Sequence, residues 1–187
     1  MGSSKTANAL MVRYNYIERG QKVLMLKPKV DNRDGDQKIV SSRIGISAPC
    51  EYIDEFITYA KEHWHSPEDT ENYACIIVDE AQFMTCQEVE YMAYIVDFLN
   101  IPVICYGLRT DFQSKMFPGA ARLFELADVI EQVPTVCWCG KKAHFNARFV
   151  DGKIVREGEQ VFIGGNESYI ALCRRHFTLG WLKDPEV

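Results

Sequence analysis

No run of apolar residues in this sequence is long enough to cross a bilayer, and no segment has the layout of a secretory signal peptide. Neither a membrane partner nor export is therefore expected. Basic residues form no stripe, and 21 Lys and Arg stand against 26 Asp and Glu for a net charge of -5. That balance argues against nucleic acid as the main partner. Internal repeats and low-complexity tracts are also missing. What remains is a chain of 187 residues, 47% of them hydrophobic, enough to bury a sizeable core in one domain with a small appendage. Seven cysteines without secretory context point to a reducing compartment, hence a cytoplasmic location. Cys50, Cys75, Cys86 and Cys105 sit singly among apolar neighbours and read as buried packing residues.

Alternation organises the first two thirds. Leu10, Tyr14 and Ile17 recur at helical spacing between Lys5 and Arg19, and Gly20 supplies the stop. Val23 to Leu26 reads as a buried strand, and DNRDGDQK after it as a loop. Ile53, Phe56, Ile57, Ala60 and Trp64 make a second helical face. The run ACIIV (74–78) is another buried strand, ending in Asp79 and Glu80. Thr85 and Glu88 have capping-box spacing, opening a helix that turns Val89, Met92, Val96 and Leu99 inward. A third strand over 103–106, a helix over GAARLFELA and a fourth strand over 128–132 follow. Strands alternating with helices predict an α/β fold, a parallel sheet flanked by helices, with ligands at the carboxyl ends of the strands. After Pro134 the pattern becomes that of small hairpins, with a D-G turn in CWCGKKAHFNARFVDGK. Domains are expected over 1–133 and 134–187.

Two constellations carry chemistry. The opening MGSSKT has the ending of a phosphate-binding loop, G-x-x-x-x-G-K-[ST], whose backbone N–H groups cradle phosphates. Ser4 stands at the second Gly, and Lys5 and Thr6 are in place. MGSS also begins many expression leaders, so the opening alone leaves both readings standing. It gains weight from ACIIVDEAQF, because a carboxylate at the end of an apolar strand is the usual partner of such a loop and holds Mg2+ directly or through water. A second acid beside it is placed to polarise a nucleophile. The alternative, a surface turn that begins with two acids, weakens once the pair is set beside Lys5-Thr6. The second constellation is Cys137 and Cys139 with Cys173 and His176, two short-spaced pairs of soft ligands that suit one tetrahedral Zn2+. Four protein ligands leave no open position, so this metal is structural; the alternative is free thiols and a surface His. Two weaker signals are Gly164-Gly165 within QVFIGGNESY, otherwise an ordinary turn, and Phe112 with Phe117 in GLRTDFQSKMF, otherwise core aromatics.

Taken together, MGSSKT, KPKVDNR (27–33), DEAQF, GLRTDF, the CWCG and CRRH pairs and VFIGGNESY resemble the thymidine kinases of the zinc-containing, cytosolic type, in the family's order from residue 1 to about 177. The resemblance implies a P-loop NTPase-like (RecA-like) sheet and a small zinc-ribbon-like domain with a lasso loop. It implies transfer of a phosphoryl group from ATP to the 5'-hydroxyl of thymidine, with deoxyuridine also accepted. Gly2, Ser3, Ser4 and Lys5 would bind donor phosphates and Thr6 the Mg2+. Asp79 would support the metal, with Ala81 and Gln82 beside the nucleotide, and Asp31 and Arg33 would lie near the phosphates. Glu80 would be the general base. The base of the acceptor would be read largely by main-chain groups at Val161, Ile163, Gly164 and Tyr169, with Met1, Leu108, Phe112 and Phe117 lining its slot. Feedback inhibition by dTTP and a homotetramer are implied as well.

Three departures from the family are visible. A strand and a Gly-Pro precede this Met in the family, so MGSSKT is expected to be the latter half of a loop; the chain taken literally as given would bind ATP and fold poorly. Ser4 replaces a loop Gly, and C-x-C replaces the commoner C-x2-C. Two rival readings follow from the residues: a nucleic-acid-stimulated ATPase, suggested by DEAQ and opposed by the acidic charge, and a non-enzymatic nucleotide-binding module whose zinc tail mediates assembly.

Overall fold

The computed structural model describes residues 4–30, 37–160 and 169–183. They form two compact units: a larger one over Ser4–Leu108 and Pro118–Val129, and a smaller one that includes Arg109–Phe117 and the chain from Ile130 onward.

The larger unit is built on four parallel strands in the order β4-β1-β5-β6, where β1 is Lys22–Lys27, β4 Glu51–Tyr52, β5 Tyr73–Val78 and β6 Val103–Cys105. Central strands read as unbroken apolar runs because both faces are covered. Alternate residues go to opposite layers. Leu24, Leu26, Ile76 and Val78 meet α2 (Ile53–His63) and α3 (Cys86–Leu99), while Met25, Cys75 and Ile77 meet α1 (Lys5–Glu18) and the hairpin of β2 (Ile39–Ser41) and β3 (Ser47–Pro49). Burial pushes the Cys75 thiol up to about 11, so it packs as an uncharged group.

Local signals account for the ends of α3. The Thr85 side chain accepts from the Glu88 N–H and the Glu88 carboxylate from the Thr85 N–H, the reciprocal cap expected from their spacing. Asn100 closes α3 in the left-handed region at φ 56°. The α2 face is buried as its periodicity predicts.

Four expectations need correction. The inward stripe of α1 is Ala9, Leu10, Val12 and Tyr16, while Tyr14 and Ile17 are exposed. The small Ala7 and Ala9 seat the helix on the sheet, and a face made of small residues is invisible to a pattern of large ones. In α3 the fully buried position is Ile95, with Val96 half-buried. Cys86 is exposed, because the buried stripe of that helix starts only at Val89. No strand forms over 128–132: the sheet ends at β6, and Val129 and Ile130 are exposed there.

A fourth helix, α4 (Pro118–Leu126), passes so close to the segment after β5 that a Cβ on Gly119 would lie 2.1 Å from the Met84 carbonyl oxygen. That oxygen is backbone and cannot swing away. Gly119→Ala is expected to destabilise the protein by about 1–3 kcal/mol, toward the upper end. Urea titration checks this; an unchanged midpoint would mean that α4 shifts at no cost.

In the smaller unit, β7 (Phe145–Val150) is flanked antiparallel by β8 (Lys153–Ile154) and β9 (Tyr169–Leu172). Asp151-Gly152 makes the predicted turn, both with positive φ (49° and 72°), as tight hairpins require. A short helix, α5 (Arg174–Leu179), follows β9 and ends at Gly180.

Candidate active site and candidate metal centre

Asp79 and Glu80 stand at the carboxyl end of β5, between its two neighbours. The Asp79 N–H donates to the Leu26 carbonyl of β1 at 2.9 Å, and the Tyr106 N–H donates to the Val78 carbonyl at 2.8 Å. These bonds prolong the parallel ladder by one residue, so the acids leave the sheet at its edge. The first turn of α1 meets them there. Thr6 Oγ1 donates to Asp79 Oδ2 at 2.8 Å, joining residues 73 apart in the chain. Asp79 is buried, and an enclosed carboxylate has few other means of solvation. Two oxygens 2.8 Å apart match neighbouring ligand positions of octahedral Mg2+, which lie about 2.9 Å apart for bonds of ~2.0–2.1 Å. The pair fits that metal either as two ligands or as a ligand and its orienting partner.

Ser4, which stands for the loop glycine, adopts φ 53°, the left-handed conformation glycine would take freely, and its carbonyl accepts from the Asn8 N–H at 2.9 Å. Lys5 opens the helix behind it. Glu80 is half-buried and also left-handed (φ 50°, ψ 37°). A non-glycine residue held there costs of order 1–3 kcal/mol and persists only where its surroundings impose it. Ala81 supplies part of that constraint by donating its N–H to the Tyr106 carbonyl at 2.9 Å. Gln82 supplies another: Nε2 donates to Glu80 Oε2 at 2.6 Å, and Oε1 accepts from the Leu108 N–H at 2.9 Å.

Lys27 has no counterpart among the predicted site residues. It ends β1 fully buried, and its ammonium donates to the Ile39 carbonyl at 2.9 Å. Its apolar stem continues the strand run, which is why sequence pattern passes over it.

In the smaller unit, Phe112 is buried with the Arg148 guanidinium 3.7 Å over its ring. Arg148 also donates to the Glu157 and Glu159 carbonyls, and Asp111 accepts from Gln113 N–H, Lys115 N–H and Gln160 Nε2. Phe117 is buried, and Tyr169 opens β9 half-buried. The Asp111 bonds to Gln113 and Lys115 are local, but its bond to Gln160 and the stacking of Arg148 on Phe112 join distant segments, which sequence pattern does not register. Met1, Gly2, Ser3, Asp31, Arg33, Val161, Ile163 and Gly164 lie outside the described residues.

The same unit assembles Cys137, Cys139, Cys173 and His176, whose ligand atoms all lie within 4.8 Å of one another. Cys137 Sγ and His176 Nδ1 are 3.3 Å apart. A tetrahedral Zn2+ with bonds of ~2.3 Å to sulfur and ~2.0–2.1 Å to nitrogen sets such edges at about 3.5–3.8 Å. Local backbone brings the pairs into place. Gly140 (φ 80°) donates to the Cys137 carbonyl at 2.9 Å, curling the CWCG loop, and Cys173 stands at the N-cap of α5, placing His176 on its first turn. The His176 backbone N–H is the main group holding the Cys173 thiol below its ordinary value, while burial raises that of Cys137. Trp138 stacks on the His176 ring at 4.1 Å and 8°, fixing its plane. The donor set fits one Zn2+, and with four protein ligands it fits a structural one.

A helix beginning Lys-Thr, tied to a strand-end Asp on a parallel sheet covered on both faces, defines the α/β class that handles nucleotide phosphates. A thymidine kinase family model matches residues 1–177. The thymidine kinase of Coxiella burnetii is 42% identical over 181 residues, covering 96% of this chain and 92% of that protein. The thymidine kinase of Shewanella oneidensis is 43% identical over 184 residues, 95% of this chain and 92% of its own length. That of Agrobacterium fabrum is 43% identical over 183 residues, again 95% and 92%. The chain belongs to the thymidine kinase family.

Proposed function

We propose that this protein transfers the γ-phosphoryl group of ATP to the 5'-hydroxyl of thymidine or deoxyuridine, giving the 5'-monophosphate and ADP. The observation that carries the reading is the Thr6–Asp79 hydrogen bond beside Glu80, at the carboxyl edge of a parallel sheet, in a chain of this family.

Glu80 accepts the 5'-hydroxyl proton as the bond from O5' to the γ-phosphorus forms; the bond from that phosphorus to the β,γ-bridging oxygen breaks, and ADP leaves. Lys5 and the backbone N–H groups at the start of α1 hold the donor phosphates. Thr6 and Asp79 would hold Mg2+, which would neutralise charge on the transferring group. Most of the remaining acceleration is positioning. Gly2, Ser3, Asp31 and Arg33 contribute to the phosphate cradle on the strength of the family motif, Arg33 offsetting charge. For the acceptor, the reading assigns main-chain contacts to Val161, Ile163, Gly164 and Tyr169, and apolar contacts to Met1, Leu108, Phe112 and Phe117. Hydrogen bonds to the thymine edge reject bases that would leave buried groups unpaired, whereas the 5-methyl needs only room. Zn2+ at Cys137, Cys139, Cys173 and His176 staples the smaller unit. Inhibition by dTTP, a homotetramer and a cytoplasmic location belong to the same proposal; among the described residues no helix is long and apolar enough to cross a membrane.

The test is ADP release with Mg-ATP and each of thymidine, deoxyuridine, deoxycytidine and deoxyadenosine. Release is expected with the first two only. Equal release with all four, or with none from the zinc-loaded protein, would overturn the assignment.

A further inference from the structure

We infer that Gln82 is a positioning residue for phosphoryl transfer, holding the Glu80 carboxylate from a fixed point on the chain that follows β6. The inference rests on the reading of Glu80 as the general base. Gln82 is only 1% exposed, and its amide ends go to separate partners. Nε2 donates to Glu80 Oε2 at 2.6 Å, and Oε1 accepts from the Leu108 N–H at 2.9 Å, across 26 residues of chain. A backbone N–H only donates and a carboxylate only accepts, so these partners permit one orientation of the amide. Gly107 leaves room for it: a Cβ there would lie 3.0 Å from both Gln82 N and Oε1. The backbone repeats the link, with the Ala81 N–H on the Tyr106 carbonyl at 2.9 Å.

The clamp answers a need of the site. Glu80 has a flexible side chain on a left-handed backbone, and a base must stand within about 2.6–3.2 Å of the proton it takes. Misplacement by about 1 Å costs on the order of 10²-fold in rate. With one end of its amide on the base and the other on Leu108, Gln82 acts on the reaction through Glu80, whatever it also contributes beside the nucleotide.

A double-mutant cycle tests this on the full-length, zinc-loaded chain. Gln82→Met keeps length and volume but has no donor and only the weak acceptor of a thioether sulfur. It is expected to lower kcat about 10- to 100-fold, with KM for Mg-ATP and thymidine changed by less than about threefold. In a Glu80→Gln background the same change is expected to cost less than about twofold, because its target is already disabled. Gln82→Asn keeps the amide but is one methylene too short to reach both partners, and is expected to show the same kcat loss even if the Met variant does not fold. Equal losses in both backgrounds would overturn the positioning role, as would a raised KM for Mg-ATP at unchanged kcat. An unchanged kcat in Glu80→Gln alone would instead overturn the underlying base assignment.

Discussion

Glu80→Gln is expected to lower kcat by about 10²–10⁴-fold, the usual share of a positioned general base, while KM for Mg-ATP and thymidine stays near its original value. The substitution keeps the shape of the side chain and an oxygen for the Gln82 Nε2 donor, so the turn after β5 need not rearrange. What it removes is basicity. A 5'-hydroxyl is a poor nucleophile, and an amide oxygen does not take its proton. A second consequence of the change runs the other way. Removing a negative charge near the phosphate-binding turn would tighten binding of an anionic nucleotide, so electrostatics alone predicts a lower KM and no fall in kcat. Steady-state kinetics with both substrates separates the two: a large kcat effect at constant KM marks the base. A variant with full kcat would leave Glu80 a neighbour of the chemistry and no more.

Cys173→Ser is expected to abolish stoichiometric zinc binding and to unfold the smaller unit, with the parallel-sheet unit losing far less of its secondary structure. The magnitudes decide this. The small core buries Cys137, Ala143, Ala147, Leu172, Cys173 and Phe177, two of them ligands, with Phe145, Ile154, Ile170 and Leu182 packed half-buried against it. Few large side chains of this core are fully buried, whereas every residue ordered costs backbone entropy. Without metal that balance is unfavourable. Structural Zn2+ supplies about 10–16 kcal/mol in small domains of this kind, enough to reverse it. Metal analysis, together with limited proteolysis over 130–183 before and after chelation, checks the expectation. Unchanged protease resistance in a zinc-free chain would show that the aromatic stacks on His176 and Phe177 suffice.

Much of the site was legible because its parts are short and local. Asp79 and Glu80 follow an apolar run, Lys5-Thr6 opens a helix, and the two ligand pairs announce themselves by spacing. The reciprocal cap of Thr85 and Glu88 follows from a three-residue interval alone. Expectations failed where the outcome depended on what stands opposite. The face of α1 turned on two alanines, Cys86 on where its helix meets the core, and the apolar residues at 128–132 on a neighbouring strand that none of the described residues provides. Each of these is a question of packing partners, which periodicity does not encode.

By itself, then, the sequence determined the alternating α/β plan, the Cys/His cluster that could hold a metal, and the start of a helix at Lys5-Thr6 and the end of a strand before Asp79-Glu80, since each is written in intervals of a few residues. Only the tertiary structure decided how they are held. The Thr6–Asp79 bond spans 73 residues and the Gln82–Leu108 bond 26, and the buried Lys27 ammonium reaches the Ile39 carbonyl of another strand. Hydrogen bonds between such residues exist only once β1, β5 and β6 lie side by side with α1 and the β2–β3 hairpin packed on them, for a bond formed at about 3 Å cannot be specified by chain segments that do not yet know their neighbours.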